Sequence, residues 1–176
     1  MKKFLAMLMA VMMVLSLVTV PVMAETPAAN DPRLSIAPKT GTAAAPADAA
    51  NLNEALNVAG GTLTFTSEGD HPWIVDGDAA KSTNVNVANS TSTVSTTVTA
   101  AAGDILQFDF MSFGEGSGNY VWDGLHLTVD GTEVMKWSRV ETWTTYAVEL
   151  TAGEHTVAWS YQKDGSVDRE GDYATV

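Results

Sequence analysis

Carboxylates set on glycine turns are the first chemistry the sequence offers. Glu68-Gly69-Asp70 and Asp76-Gly77-Asp78 place four acids within eleven residues, and the intervening glycines permit tight turns. Such a set suits a hard cation. Calcium takes six to eight oxygens, which carboxylates and backbone carbonyls on irregular turns can supply. Asp172, together with Asp168 and Glu170, would join them if the first and last strands of the fold are neighbours. Asp-Gly pairs are also what turns are made of, so a calcium site and a solvated turn both remain open.

The five tryptophans form the second constellation: Trp73, Trp122, Trp137, Trp143 and Trp159. Exposed flat rings stack on the apolar faces of sugars, whereas buried rings are core mass. Trp159 alternates with Val157 and Tyr161 and so belongs to the core. Trp137 and Trp143 flank a loop expected over 138–142. Tyr120, Trp122 and Asp123 adjoin the glycine-rich run Gly114-Glu115-Gly116-Ser117-Gly118-Asn119. Loops at the end of a scaffold are where binding residues sit, which makes these three the candidates for ligand contact, against the plainer reading of a turn.

Catalytic patterns are sparse. A serine-type hydrolase needs a nucleophile, a histidine and an acid together. The sequence has three histidines and no Gly-x-Ser-x-Gly elbow. His155 lies in an apolar alternating register and reads as a hydrogen-bonded structural residue; His126 faces away from Leu125 and Leu127; His71 precedes Pro72 in a loop. The Glu-x-Asp-x-x-Glu strand pattern of jelly-roll glycosidases is missing. The absence of cysteine excludes disulfides, thiolate zinc sites and a cysteine nucleophile. With 21 acidic against 9 basic side chains and a net charge of −12, the chain does not suit a nucleic-acid partner, which requires a basic surface.

The elements that must position these residues begin after an N-terminal leader. Lys2 and Lys3 precede an apolar run from Phe4 to Val20, and Pro21-Val22-Met23-Ala24 offers small residues for cleavage. Residues 1–24 therefore read as a signal peptide, and the chain as secreted, free of the membrane after cleavage. Residues 25–51, rich in alanine and proline, read as a disordered linker. From Gly60 onward the hydrophobic period is two, as in Leu106, Phe108, Phe110 and again in His155, Val157, Trp159, Tyr161. Turn signals separate the runs, and Asp130-Gly131 is the sharpest hairpin signal. Eight to ten short strands without a long helix predict an all-β fold over 52–176. The expected form is a two-sheet antiparallel β-sandwich, a jelly roll.

Several short motifs also resemble a known group. They are Trp73-x-Val75-Asp76-Gly77-Asp78, Phe108-Asp109-Phe110, Val129-Asp130-Gly131 and Trp137-Ser138. Ala152-Gly153-Glu154-His155-Thr156-Val157-x-Trp159 and Tyr161-Gln162-Lys163-Asp164-Gly165-Ser166 complete the series. In this order they resemble the cleaved-adhesin, or MAM-like, jelly-roll modules of bacterial secreted surface proteins, the gingipain-type adhesin domains. The resemblance implies a non-catalytic extracellular module for adhesion or glycan binding, with structural calcium near the first strand. It also implies a chain cut short of its last strand, with further domains downstream. A glycan or a cell-surface protein would be the partner. The competing readings are a spacer in a repeat array, with a uniformly polar surface, and an accessory domain of a carbohydrate-active enzyme.

Overall fold

The structure is a computed structural model that describes residues 49–58, 60–117, 120–166 and 171–176. The leader, most of the linker, Asp168 and Glu170 lie outside the described residues. A short helix, α1 (Leu52–Leu56), precedes twelve strands. These are β1 (Phe65–Thr66), β2 (Ile74–Asp76), β3 (Ala79–Lys81), β4 (Thr91–Ala100), β5 (Ile105–Phe113) and β6 (Gly116–Ser117). They continue with β7 (Tyr120–Val121), β8 (Gly124–Val129), β9 (Thr132–Trp137), β10 (Arg139–Glu149), β11 (Gly153–Gln162) and β12 (Tyr173–Thr175). The count exceeds the expected eight to ten because β1, β6 and β7 are two-residue strands that period-two reading does not register. Among the described residues no helix is long and apolar enough to cross a membrane.

Two five-stranded sheets, ordered β1-β4-β11-β8-β9 and β10-β5-β12-β3-β2, form an antiparallel β-sandwich. Alternation explains the facing surfaces. Val157, Trp159 and Tyr161 of β11, with Leu125 and Leu127 of β8, are buried and meet Leu106, Phe108 and Phe110 of β5. Trp159 stands edge-on to Phe108 across the layers, ring centroids 5.3 Å apart at 87°, a favoured aromatic geometry. Trp73 is buried as well.

The β8–β9 hairpin turns at Asp130 (φ 52°) and Gly131 (φ 76°). Both angles are positive, as a type I′ turn demands. The loop expected over 138–142 is instead a bend at Ser138 followed by strand. β10 begins at Arg139, and its register against β5 shifts between Val140 and Thr144, so a bulge carries Trp143 outward. Trp137 packs inward on Phe110 (4.3 Å) and Tyr146 (4.9 Å). A bulge inserts extra residues without turn chemistry, which is why the sequence pattern resembled a loop there.

Candidate binding rim and the buried ion cluster beneath it

At one end of the sandwich the chain leaves β5, makes the small β6–β7 hairpin and enters β8. Close backbone approach sets this path. A Cβ on Gly114 would lie 2.3 Å from the Asp123 carbonyl oxygen, on Gly116 2.4 Å from Ser138 Oγ, and on Gly124 2.2 Å from the Trp137 carbonyl oxygen. Only glycine fits such contacts. The Trp122 and Asp123 amides both donate to the Glu115 carbonyl, at 3.0 Å each. Beneath them, buried Ser112 donates to the Trp137 carbonyl (2.9 Å) and accepts from the Leu125 amide (3.1 Å), joining the two sheets. The Tyr161 hydroxyl donates to the Phe113 carbonyl (2.5 Å). Its pKa is pushed far up, first by burial and then by the charges of Asp172 and Asp123, so the phenol keeps its proton and remains a donor.

This brace holds two aromatic rings in solvent. Tyr120, in β7, is 73% exposed, and Trp122, just past the end of β7, is 47% exposed. Trp143, on the β10 bulge, is 38% exposed. Tyr120 and Trp122, named from the sequence as candidates for ligand contact, are thus exposed at this end of the sandwich.

Asp123, expected beside them as a ligand contact, is not at the surface. It is fully buried, and its Oδ2 lies 3.2 Å from Lys163 Nζ while its Oδ1 accepts the Asp164 amide at 2.8 Å. Asp172 Oδ2 lies 3.2 Å from the same Nζ. The lysine and both acids are withdrawn from water. A buried charge is expensive unless paired, and here the pairing ties the entry of β8 to the exit of β11 and the start of β12. Lys163 was not picked out from the sequence as a site residue. The signal was present: it continues the inward row His155, Val157, Trp159, Tyr161, and Asp123 likewise begins the row of Leu125 and Leu127.

Among the described residues, the acids expected to hold calcium are not brought together. β12 does neighbour β3, but antiparallel with Thr175 opposite Lys81. With the Ser82 amide donating to the Ala174 carbonyl, that register runs Asp172 away from the β2–β3 turn that bears Asp78. Asp172 instead serves Lys163. Asp76 pairs with Lys81 at 3.6 Å, and Glu68 and Asp70 are exposed. Among the described residues no three histidine, aspartate or glutamate side chains converge where a metal ion could sit. The described members of the calcium set, Glu68, Asp70, Asp76, Asp78 and Asp172, do not converge; Asp168 and Glu170 lie outside the described residues.

Two histidines meet carboxylates. His126 Nδ1 is 2.6 Å from Glu133, and with Lys136 this holds Glu133 below the usual carboxylate range. His155 Nδ1 is 2.7 Å from Asp130 Oδ2, and its Nε2 is 3.0 Å from the Thr151 carbonyl oxygen. With acceptors on both nitrogens, the ring is best served as an imidazolium. The hydrogen bonds from Asp130 and Thr151 raise its pKa, and the same contact, with the Thr156 amide, lowers that of Asp130. A ring so committed is a clamp and leaves neither nitrogen to act as a base.

No family model and no curated protein match the chain. Among solved structures it is similar to a secreted serine protease, VesC from Vibrio cholerae, at 17% identity and a TM-score of 0.52. The match covers 64% of this chain and 22% of that one, so the chain spans about a fifth of the protease's length. It is also similar to a CBM35 from Paenibacillus barcinonensis (17% identity, TM-score 0.31, 65% and 91% covered). A family 35 carbohydrate binding module from Clostridium thermocellum matches at 15% identity and a TM-score of 0.31, with 65% and 88% covered. At such identities the likeness to VesC shows the β-sandwich fold alone, and the looser superpositions carry nothing further. The adhesin resemblance of the sequence is supported only at the level of that fold.

Proposed function

We propose that the protein is a non-catalytic binding module that holds a glycan against the Tyr120–Trp122 rim. One observation carries this reading: two exposed aromatic rings, one on a short hairpin and one just past its end, on a backbone fixed from below. Sugars present apolar C–H faces that stack on such rings, and a fixed platform loses little freedom on binding. The spacer reading required a uniformly polar surface, and the rings at this rim and at Trp143 disagree with it. Secretion and attachment to a cell-surface protein remain part of the proposal. They rest on the leader and on the motifs of the sequence.

A glycan array with the purified chain, followed by calorimetry, tests the proposal. The expected result is binding to a limited set of glycans, lost at least tenfold in Trp122→Ala and Tyr120→Ala while the melting midpoint stays put. Each stacked ring is worth about 0.5–1.5 kcal/mol beyond its buried area, which with that area gives a loss of this size. No binder on the array at high protein concentration, or full binding by the double variant, would overturn it.

A further inference from the structure

Among the described residues, the buried Lys163 ammonium meets two carboxylates, those of Asp123 and Asp172. Both Oδ2 atoms stand 3.2 Å from Nζ, and all three side chains are out of water. Gln162 pairs with Gly124 in the β8–β11 ladder, so Lys163 and Asp123 face each other one step beyond it. Asp172 reaches the same nitrogen from the opposite sheet. The two acids differ in one respect: Asp123 Oδ1 accepts the Asp164 backbone amide at 2.8 Å. A fixed N–H aimed at a carboxyl oxygen stabilises negative charge that develops there.

From this geometry we propose that Lys163 and Asp123 condense into an intramolecular isopeptide bond, with Asp172 as the proton carrier. A proton passes from the Lys163 ammonium to the Asp123 carboxylate, which removes two buried charges and frees the Nζ lone pair. Nζ then attacks Asp123 Cγ, and the carbonyl electron pair moves onto Oδ1, held by the Asp164 amide. The Asp172 carboxylate takes a proton from the newly bonded nitrogen and returns it to the Oδ2 hydroxyl. The Cγ–Oδ2 bond breaks, water leaves, and the Oδ1 pair re-forms the carbonyl. Ammonium and carboxylate have become amide and water, with no oxidant or reductant. Burial fixes the reacting groups in contact, which converts an ordinarily sluggish condensation into a proximity-driven one. The bond closes a span of 40 residues in a chain that has no cysteine with which to do so.

Intact-mass spectrometry of the purified full chain, its N-terminus established by sequencing, is the test. The folded wild-type protein is expected to weigh about 18 Da, one water, less than its sequence. Tandem spectra should show a peptide containing Asp123 joined to one containing Lys163. Asp172→Asn and Lys163→Arg should both have the full mass. The wild-type result decides whether or not these variants fold. A full-mass wild-type protein overturns the proposal. So does a mass loss confined to one unbranched peptide, which would be a succinimide at Asp123-Gly124.

Discussion

The β8–β11 strand pair is closed at both ends by an aspartate facing a cation, and the two closures are built differently. At one end Asp123 meets Lys163 and Asp172 in a site sealed from water. At the other, Asp130 on the hairpin turn meets His155, and its carboxylate is half exposed. The sealed end underlies the aromatic rim, where position matters most. The open end secures two turns and titrates within ordinary pH. A lysine nitrogen sealed between the two acids, paired with them or joined to Asp123, suits the first task because the acids cannot recover solvation without it; a histidine suits the second because water is at hand.

Lys163→Met should break the comparison most severely. It leaves Asp123 and Asp172 buried without the lysine nitrogen that pairs or joins them, and urea unfolding should show a loss of about 3–5 kcal/mol. A loss below about 1 kcal/mol would mean that the seal is apolar packing rather than charge pairing. Gly124→Ala tests the rim end by shape alone. Its Cβ would fall 2.2 Å from a backbone oxygen, and the forced shift should cost about 1–3 kcal/mol and weaken any glycan binding.

pH sharpens the contrast at the open end. His155 has a folded pKa raised above its ordinary 6.5, so its contribution is complete below that value and fades as pH rises through the folded pKa. Asp130 is lowered from 3.8, and its share is lost only as pH falls through its own folded value. The clamp therefore holds best between about 3.8 and 6.5. Melting midpoints of the wild type should decline on the alkaline side of this window, and those of His155→Gln should not. Identical slopes would remove His155 from the account. Calcium should have the smallest effect. With the candidate acids apart, chelator and saturating calcium should give the same midpoint, and a rise with calcium would restore a metal site to the molecule.

Much of this architecture was legible in the alternation of side chains. The inward rows of β5, β8 and β11 and the Asp130-Gly131 turn follow from period two and positive φ. Tyr120 and Trp122 were legible as aromatics beside a glycine run. The burial of Asp123 was legible only as a continuation of the Leu125–Leu127 row, and that signal is overridden when a charged residue next to a loop is read as solvated. Its partner Lys163 is 40 residues away, and local pattern does not pair distant strands. Asp172 misled for a related reason: adjacency of β3 and β12 was foreseeable, but register, which decides which residues face each other, was not. The bulge at Trp143 escaped because two residues too many in a strand imitate a turn.

The place of β12 in its sheet bears on how the molecule comes into being. Although it holds residues 173–175, it lies between β5 and β3, and β2–β3 joins the rest of that sheet only through it. Residues 74–81 must therefore wait for partners about a hundred positions later in synthesis. Pairings of such long range are slow to form. The β2–β3 hairpin is thus the last part of its sheet that can be secured, whereas β5 and β10 pair without it.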